Sequence, residues 1–438
     1  MMFVFYNILL LILSPIIALY ILYRIFISGK SRKSWRHQLG GVKLPNEIAD
    51  KKKIWIHAVS VGESVAASSV VSELKRDIPE VAVVMSTTTE KGQEMAHKSV
   101  KDSDGFFYYP FDLLPSVSRS LSKICPVVFA STDTEIWPNF LHIARRRGVK
   151  TAMINGTVSD KTMAGSKKIG WLYRWAMSNF DLLCMQSQAD ADRAVSLGAD
   201  ESKVVITGNC KADEAPQPLM QPEREELLSL YKIGAENLVF VAGSTNPGEE
   251  PHIIESYALA RKTHPSLRLI VAPRQIERRK EIYTLVKASG LECGWRSDPS
   301  TITGAEDVVI LDTFGELARI YAIADVTFVG GSLIPRGCHS ILQPIAQRKP
   351  VFFGPYTFKA KDLVAQAKAA GVGFEIKNGM ELGLQISRML DEPEVLRQIE
   401  ARCEDMIRSN RGASRRTADE LIKLYKAAIS AGSGNRSG

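Results

Sequence analysis

Three common ligand-binding signatures are absent from the sequence: the GxxxxGK[ST] phosphate loop, the GxGxxG dinucleotide turn and the HExxH zinc motif. P-loop, standard dinucleotide-binding and zincin interpretations therefore have no support. The six cysteines are widely separated and form neither a CxxC pair nor a zinc-site spacing. This usage favours reduced thiols in the cytoplasm over a disulfide framework or a bound metal.

Charged side chains are absent from the first 23 residues, which are mostly Phe, Leu, Ile and Tyr, interrupted by Asn7, Ser14 and Pro15. At ~1.5 Å per residue, a helix of this length matches a hydrocarbon core of about 30 Å. The segment lacks the basic start and small-residue cleavage site of a signal peptide. It predicts an uncleaved membrane anchor over residues 1–28. A helix lying in one leaflet is the alternative, because Pro15 can bend it.

Basic side chains are concentrated directly after this segment. Residues 29–53 contain eight Lys and Arg against Glu47 and Asp50, a net charge of +6, and Arg24 makes this +7 of the formal +8 of the chain. The eight are Lys30, Arg32, Lys33, Arg36, Lys43, Lys51, Lys52 and Lys53. Such a cluster beside an anchor attracts anionic lipid headgroups and keeps its side of the membrane cytoplasmic. We therefore expect a membrane surface as partner, and no nucleic acid.

Short apolar runs alternate with amphipathic helical patterns along the rest of the chain. This alternation is typical of α/β folds with parallel sheets and helices on both faces. Prolines 216, 218 and 222 interrupt it once and mark residues 214–223 as a linker. We predict two Rossmann-like domains with a cleft between them, over residues 29–215 and 223–429, and a disordered tail at residues 430–438.

Two carboxylates follow predicted strands in the first half. The apolar residues 54–58 lead into Ser60, Gly62 and Glu63, and residues 66–76 predict a helix. Ligands bind where strands end in open α/β sheets. The residues alone leave two roles open for Glu63, an N-terminal helix cap or a catalytic base. Glu135, in the run of residues 133–139, either caps the next helix or binds an acceptor.

Polar groups also follow strands in the second half. Ser244 and Thr245 either cap the next helix or leave backbone N–H groups free to bind a phosphate. Arg274 follows Pro273 and is either a surface side chain or a bidentate clamp for a phosphate or carboxylate. Glycines and polar residues fill residues 330–340. Because glycines let the backbone approach a ligand closely, this run predicts a nucleotide-sugar site.

In this order, the runs resemble the bacterial Kdo transferases, which move 3-deoxy-D-manno-octulosonic acid (Kdo) from CMP-Kdo to a lipid A precursor. The runs that carry the resemblance lie at residues 57–63, 86–89, 134–139, 208–211, 243–245, 272–274, 315–317 and 330–333. It covers nearly the whole chain. It implies the GT-B glycosyltransferase architecture and an inverting, metal-independent transfer without a cofactor, in lipopolysaccharide biosynthesis at the cytoplasmic leaflet of the bacterial inner membrane.

The resemblance also implies roles for individual residues. It makes Glu63 the general base and places Glu135, with Ser60 and Gly62, on the acceptor side. The residues implied on the CMP-Kdo side are Ser244, Thr245, Pro273, Arg274, Gly315, Glu316, Gly331, Ser332, His339, Ser340 and Gln343.

The chain departs from the pattern of this family mainly on the donor side. Residues 337–340 read Gly-Cys-His-Ser where Gly-Gly-His-Asn is usual, and Gln343 replaces the glutamate of a Leu-Glu-Pro run. An amide oxygen still accepts a hydrogen bond from a ribose hydroxyl, but without charge. Thr157 stands where an arginine is common. Two alternatives follow: a membrane-associated GT-B enzyme with another donor, such as a UDP sugar, or a catalytically silent homologue that binds lipid A precursors.

Overall fold

The computed structural model describes residues 2–23 and 34–434, which form two compact units. The first unit comprises residues 1–214 and 410–438, and the second comprises residues 215–409. Each unit contains a seven-stranded sheet in which all neighbouring strands are parallel. The predicted pair of parallel-sheet α/β domains is thereby confirmed.

The sheet of the first unit has the strand order β3-β2-β1-β4-β5-β6-β7. Its strands are β1 (Lys53–His57), β2 (Ala82–Thr87), β3 (Gly105–Tyr108), β4 (Val128–Thr132), β5 (Lys150–Gly156), β6 (Leu182–Met185) and β7 (Val204–Ile206). Its helices up to residue 196 are α1 (Met2–Leu22), α2 (Trp35–Gln38), α3 (Val61–Asp77), α4 (Glu90–Ser99), α5 (Leu114–Ile124), α6 (Pro138–Arg146), α7 (Asp160–Met177) and α8 (Gln188–Ser196).

Residues 215–220, which contain no helix or strand, lie within the predicted linker and lead into the second unit. The sheet of this unit has the order β10-β11-β9-β8-β12-β13-β14. Its strands are β8 (Leu238–Thr245), β9 (Leu267–Pro273), β10 (Cys293–Trp295), β11 (Val308–Ile310), β12 (Val326–Val329), β13 (Val351–Phe353) and β14 (Gly373–Glu375). Its helices are α9 (Gln221–Leu230), α10 (Glu250–Ala260), α11 (Arg279–Ala288), α12 (Leu317–Ile320), α13 (Leu342–Ala346), α14 (Lys361–Ala369), α15 (Gly379–Asp391) and α16 (Pro393–Asn410).

The central strands of both sheets are buried on both faces, as expected for parallel sheets covered by helices. Every residue of β1 is buried, and Trp55 lies at the centre of an aromatic cluster in the first unit. Its ring makes edge-to-face contacts with Phe107, Phe129 and Phe140, at centroid distances of 5.1, 5.3 and 4.9 Å. Edge-to-face pairs of this kind add to the stabilisation that burial provides.

The last helix, α17 (Ala413–Gly434), packs on the first unit. Leu421, Ile422 and Tyr425 share a core with residues of α3, and Arg415 pairs with Asp77 at 2.5 Å. Residues 410–429 therefore lie in the first unit, whereas the sequence placed them in the second domain. Residues 430–434 continue the helix where the sequence indicated a disordered tail, and residues 435–438 lie outside the described residues.

The apolar N-terminal segment forms α1, but none of the helices within residues 2–23 and 34–434 is both long and apolar enough to cross a membrane. A spanning anchor over residues 1–28 is therefore not supported. Asn7, Ser14 and Pro15 interrupt the apolar sequence of α1, and the ring of Phe3 packs on His142 of α6, with 4.4 Å between the ring centroids. Residues 24–28 of the expected anchor lie outside the described residues.

Candidate functional site

In the first sheet, strands β2 and β3 lie on one side of β1 and strands β4 to β7 on the other, which makes the β1–β4 boundary a switch point. In the second sheet, strands β9 to β11 lie on one side of β8 and strands β12 to β14 on the other, so β8 and β12 form the corresponding switch point. Loops that leave the carboxyl ends of strands diverge at such a switch point and open a crevice where ligands bind. The turn that carries Glu63 follows β1, and the Ser244 turn ends β8. The turns that carry Glu63 and Ser244 therefore each lie at the switch point of their sheet.

Glu63 is buried in the first turn of α3, where hydrogen bonds hold both its backbone and its side chain. The Ser60 hydroxyl caps the helix and accepts the Glu63 N–H at 3.2 Å. The Glu63 Oε2 accepts the Val59 N–H at 2.7 Å and the Thr132 hydroxyl, from the end of β4, at 2.9 Å. Within the described part of the chain, no group donates to its other oxygen, Oε1. Glu63 thus belongs to the cap of α3 and keeps one oxygen open to a further hydrogen bond.

A second polar network lies beside this turn. Asp133 follows β4 and accepts the Asn155 amide at 2.6 Å, and the Lys211 ammonium lies 3.4 Å from its other oxygen. A side chain at Gly62 would touch Lys211, because a Cβ there would lie 3.8 Å from its Cε. The sequence singled out neither Asp133 nor Asn155 as a site residue. Both have φ near 51°, a left-handed backbone that Asn and Asp tolerate best, and this preference was the available signal.

Burial changes the acidity of the carboxylates at this switch point. Partial burial, with the negative charge of Glu63 as the second cause, raises the pKa of Glu135 to about 7. Burial also raises the pKa of Asp133, although Lys211 opposes the shift. Glu135 therefore binds and releases its proton near neutral pH, where its carboxyl group can either donate or accept a hydrogen bond.

In the second unit, a fully buried carboxylate holds together the two loops of the switch point. The Glu249 Oε2 accepts the N–H groups of Asn246 at 2.9 Å and Gly331 at 2.7 Å. Its Oε1 accepts those of Ser332 at 3.0 Å and Leu333 at 2.9 Å. Neither Ser244 nor Thr245 caps α10, which begins only at Glu250. The backbone N–H groups of Asn246 and of residues 331–333 are thus already bound to Glu249, a residue that the sequence did not single out.

Positive charge is supplied beside these loops by Arg274, an exposed residue directly after β9. Its backbone N–H donates to the Thr245 carbonyl at 2.9 Å, which joins the ends of β8 and β9. His339 lies 3.3 Å from the Asn246 amide, between Nε2 and Nδ2. Partial burial, and then the charges of Arg274 and Lys359, lower the pKa of His339 to about 4. His339 is therefore neutral at pH 7, and Arg274 and Lys359 carry the positive charge.

The structure thus brings one group of predicted donor-side residues together around β8, β9 and β12: Ser244, Thr245, Pro273, Arg274, Gly331, Ser332 and His339. Gly315 and Glu316 follow β11, one strand beyond β9, and Glu316 pairs with Arg296 at 2.8 Å. Ser340 is exposed before α13, and Gln343 is half-buried within it. No hydrogen bond in the described part of the structure joins these last four residues to the group.

The four bonds to Glu249 predict a strong response to loss of its charge. Glu249→Gln replaces one accepting oxygen by an NH₂ group that faces backbone N–H donors, so two amides lose their partner. We expect the free energy of unfolding of the second unit to fall by about 3 kcal/mol, from urea denaturation. Hydrogen exchange at the amides of residues 331–333 should accelerate. Glu255→Gln, at an exposed position on α10, is the control, and unchanged protection in Glu249→Gln would contradict this role.

The raised pKa of Glu135 predicts a pH-dependent effect on stability. Between its ordinary pKa of 4.5 and about 7, the folded protein keeps a proton that the unfolded chain has released, so stability falls as pH rises through this window. Glu135→Gln removes this dependence. The free energy of unfolding is measured by urea denaturation at pH 5 and at pH 8. We expect the difference between the variant and the wild type to increase by about 2 kcal/mol, in favour of the variant, from pH 5 to pH 8. An equal difference at both pH values would contradict the shift, and Glu80→Gln, at an exposed position, is the control.

Sequence comparison identifies one protein family and several individual proteins to which this chain is similar. A family profile described as 3-deoxy-D-manno-octulosonic-acid transferase (kdotransferase) matches residues 33–214. The 3-deoxy-D-manno-octulosonic acid transferase of Haemophilus influenzae is 29% identical over 425 residues, which is 96% of this chain and 98% of that protein. A bifunctional glycosyltransferase/methyltransferase of Fusobacterium nucleatum is 31% identical over 351 residues, and the match covers 79% of this chain and 54% of that longer protein.

Among solved structures, the UDP-GlcNAc 2-epimerase of Neisseria meningitidis shares the fold with a TM-score of 0.55. It is 14% identical, and the match covers 85% of this chain and 100% of that one. At this identity, the likeness shows a shared two-domain fold and carries no functional information. The resemblance found in the motifs is confirmed by the family match and by the curated relatives: the chain is a homologue of the 3-deoxy-D-manno-octulosonic acid transferases, which are glycosyltransferases.

Proposed function

We propose that the protein is an inverting GT-B glycosyltransferase that moves Kdo from CMP-Kdo to a glucosamine hydroxyl of a lipid A precursor, lipid IVA, in lipopolysaccharide core biosynthesis. The observation that carries the proposal is the setting of Glu63 at the β1–β4 switch point, with one oxygen bound twice and the other free of donors. The homologues named as Kdo transferases support the choice of sugar.

In the proposed reaction, Glu63 Oε1 accepts the proton of the attacking hydroxyl. The hydroxyl oxygen forms a bond to the anomeric carbon of Kdo while the bond from that carbon to the phosphate oxygen of CMP breaks. The electron pair of the broken bond leaves with CMP. The Val59 N–H and Thr132 hydroxyl keep the carboxylate in place, so that little reorganisation is required when the proton arrives.

The acceptor side is completed by Glu135, with Ser60 and Gly62 in the turn before the base. Because the pKa of Glu135 is about 7, its carboxyl group is present in both protonation states at cytoplasmic pH. The protonated form donates a hydrogen bond to an acceptor oxygen, and the ionised form accepts one from a hydroxyl. This flexibility suits a residue that binds the sugar before and after its hydroxyl loses a proton.

The donor side must stabilise a single phosphate on the departing CMP. The amides of Asn246, Gly331 and Ser332 are bound to Glu249, so charge stabilisation is left to Arg274 and Lys359, whose charges both act on His339. A guanidinium forms paired, charge-assisted hydrogen bonds with phosphate oxygens. We propose that these cations make a divalent metal unnecessary. Ser244, Thr245, Pro273, Gly315, Glu316, His339, Ser340 and Gln343 complete the proposed donor side.

A lipid acceptor requires the enzyme to work at a membrane, and we place it at the cytoplasmic leaflet of the bacterial inner membrane. The basic residues 29–53 then face anionic headgroups, including the phosphates of the acceptor. The second candidate is a GT-B enzyme with a different donor, such as a UDP sugar. One observation favours it: Gln343 offers the donor an uncharged amide in place of the expected carboxylate.

Removal of the proposed base tests the mechanism. Glu63→Gln keeps the size of the side chain but cannot accept the proton, so we expect kcat to fall by a factor of about 10² to 10⁴, with little change in the KM for CMP-Kdo. Product is measured by mass spectrometry of the lipid fraction. Ser187→Ala is the matched control, because Ser187 caps α8 as Ser60 caps α3, and it should cost about 1 kcal/mol of stability while kcat stays unchanged. Normal turnover by folded Glu63→Gln would exclude Glu63 as the base.

Donor identity is tested by ligand-induced stabilisation and by product formation. We expect CMP to raise the melting temperature in EDTA, UDP to leave it unchanged, and CMP-Kdo to yield a Kdo-lipid A product in the same buffer. A shift with UDP alone would favour the second candidate, and a product that appears only after Mg²⁺ is added would contradict a metal-independent transfer. A folded protein that binds lipid and forms no product from any nucleotide sugar would indicate a silent homologue.

A further inference from the structure

Two loops at the carboxyl edge of the second sheet are bound to each other through their backbones. We name residues 330–340 the glycine loop and residues 354–360, which follow β13, the β13 loop. The Tyr356 N–H donates to the Ser332 carbonyl at 2.9 Å, and the Cys338 N–H donates to the Tyr356 carbonyl at 2.8 Å. These bonds hold the β13 loop beside the glycine loop. The β13 loop contains Lys359, a residue that the sequence did not single out.

The glycine loop leaves space for two side chains to lie against its backbone. A Cβ on Gly337 would lie 2.7 Å from the Lys359 Cγ, which is closer than two carbon atoms approach without a bond. A Cβ on Gly331 would lie 3.1 Å from the His339 Cδ2. The absence of a side chain at both positions therefore lets the stem of Lys359 and the ring of His339 pack on this loop.

Two cations near His339 have no carboxylate partner. The charges of Arg274 and Lys359 both lower the pKa of His339, and both residues are exposed. Within residues 2–23 and 34–434, neither side chain makes an ion pair or a hydrogen bond. By contrast, Arg279 of the same unit pairs with Asp312 at 2.8 Å. Unpaired cations at the edge of an open sheet where ligands bind indicate an anionic ligand.

The donor of the proposed function has two anionic groups on one carbon atom. The anomeric carbon of an ulosonic acid carries the carboxylate of the sugar, and in CMP-Kdo the same carbon also carries the oxygen that links it to the phosphate. Each of these anions needs a counter-charge when it leaves water for the site. Two separate cations at one edge of a sheet match this pair of neighbouring anions.

The strand order indicates the direction in which such a donor lies. The strands β11, β9, β8, β12 and β13 follow one another across the sheet. Glu316 lies after β11, Arg274 after β9 and Lys359 after β13. The Glu316 carboxylate disfavours an anion but accepts hydrogen bonds from hydroxyl groups, so the ribose suits its end of the edge. With the ribose there, the phosphate is nearest Arg274 and the sugar carboxylate is nearest Lys359.

We propose that Lys359 binds the carboxylate of the transferred sugar while Arg274 binds the phosphate, so that Lys359 selects a sugar acid as donor. The proposal rests on the proposed function and deepens it, because it divides the two cations between the two anionic groups of the donor. A neutral sugar has no group for Lys359 to neutralise. The lysine of the β13 loop therefore favours CMP-Kdo over a nucleotide donor with an uncharged sugar.

The division is tested by the equilibrium binding of CMP and of CMP-Kdo to the intact chain without acceptor, measured by isothermal titration calorimetry. Lys359→Met keeps the apolar stem and removes the charge. We expect its Kd for CMP-Kdo to rise about ten- to a hundredfold, while its Kd for CMP stays unchanged. Arg274→Met should raise the Kd for both ligands. Lys262→Met, at an exposed position just after α10, is the control and should change neither.

A ligand without the carboxylate charge supplies the matching measurement. The wild type should bind the carboxamide of CMP-Kdo about as weakly as Lys359→Met binds CMP-Kdo, and Lys359→Met should lose nothing further with the carboxamide. Lys359→Arg keeps the charge and should retain most of the affinity for CMP-Kdo. Equal losses of CMP and CMP-Kdo affinity in Lys359→Met, or no loss of either, would overturn the assignment of Lys359.

The same titrations separate this assignment from the proposed function. If the wild type binds neither CMP nor CMP-Kdo, the proposed function fails and the role of Lys359 fails with it. If the wild type binds both and Lys359→Met binds both equally well, only the role of Lys359 fails.

Discussion

At each switch point, one buried carboxylate holds together two segments that follow neighbouring strands. In the first unit, Glu63 joins the end of β1 to the end of β4. In the second unit, Glu249 joins the turn after β8 to the loop after β12. Both carboxylates lie at the start of the helix that follows the first strand of their sheet. The loops and first helical turns that follow parallel strands carry backbone N–H groups without a partner in helix or sheet, and a carboxylate can accept several of them at once.

The two carboxylates differ in how fully their oxygens are used, and this difference separates their roles. Each oxygen of Glu249 accepts two amide N–H groups, which leaves it no capacity for a ligand. Glu63 accepts both its bonds through one oxygen, so the same placement provides both a rigid turn and a free oxygen. In the reaction that we propose, the donor side therefore relies on the cations Arg274 and Lys359, while the acceptor side relies on the carboxylates Glu63 and Glu135.

The parts of this arrangement that sequence could predict are those encoded over short distances. Alternating apolar runs located most of the strands, and the turn from Ser60 to Glu63 was recognised as either cap or base; the structure shows the cap, and the base stays a proposal. Glu249 was missed because its partners at the β12 loop lie 82 to 84 residues further along the chain. The apolar N-terminus indicated a membrane segment by composition alone. That Phe3 packs on His142 is a property of its tertiary packing, which hydropathy does not report.

The return of α17 to the first unit makes that unit discontinuous, with the second unit inserted between its two parts. Ala418, Leu421 and Tyr425 close the same core as Ala67, Val70 and Leu74 of α3. During synthesis, the part of α3 that α17 covers therefore stays exposed while nearly two hundred residues of the second unit emerge. The inserted unit is complete in sequence before its host can be. The first unit therefore begins to be translated before the second unit but is completed after it. A chaperone that binds exposed apolar helices can bind α3 until α17 has been synthesised.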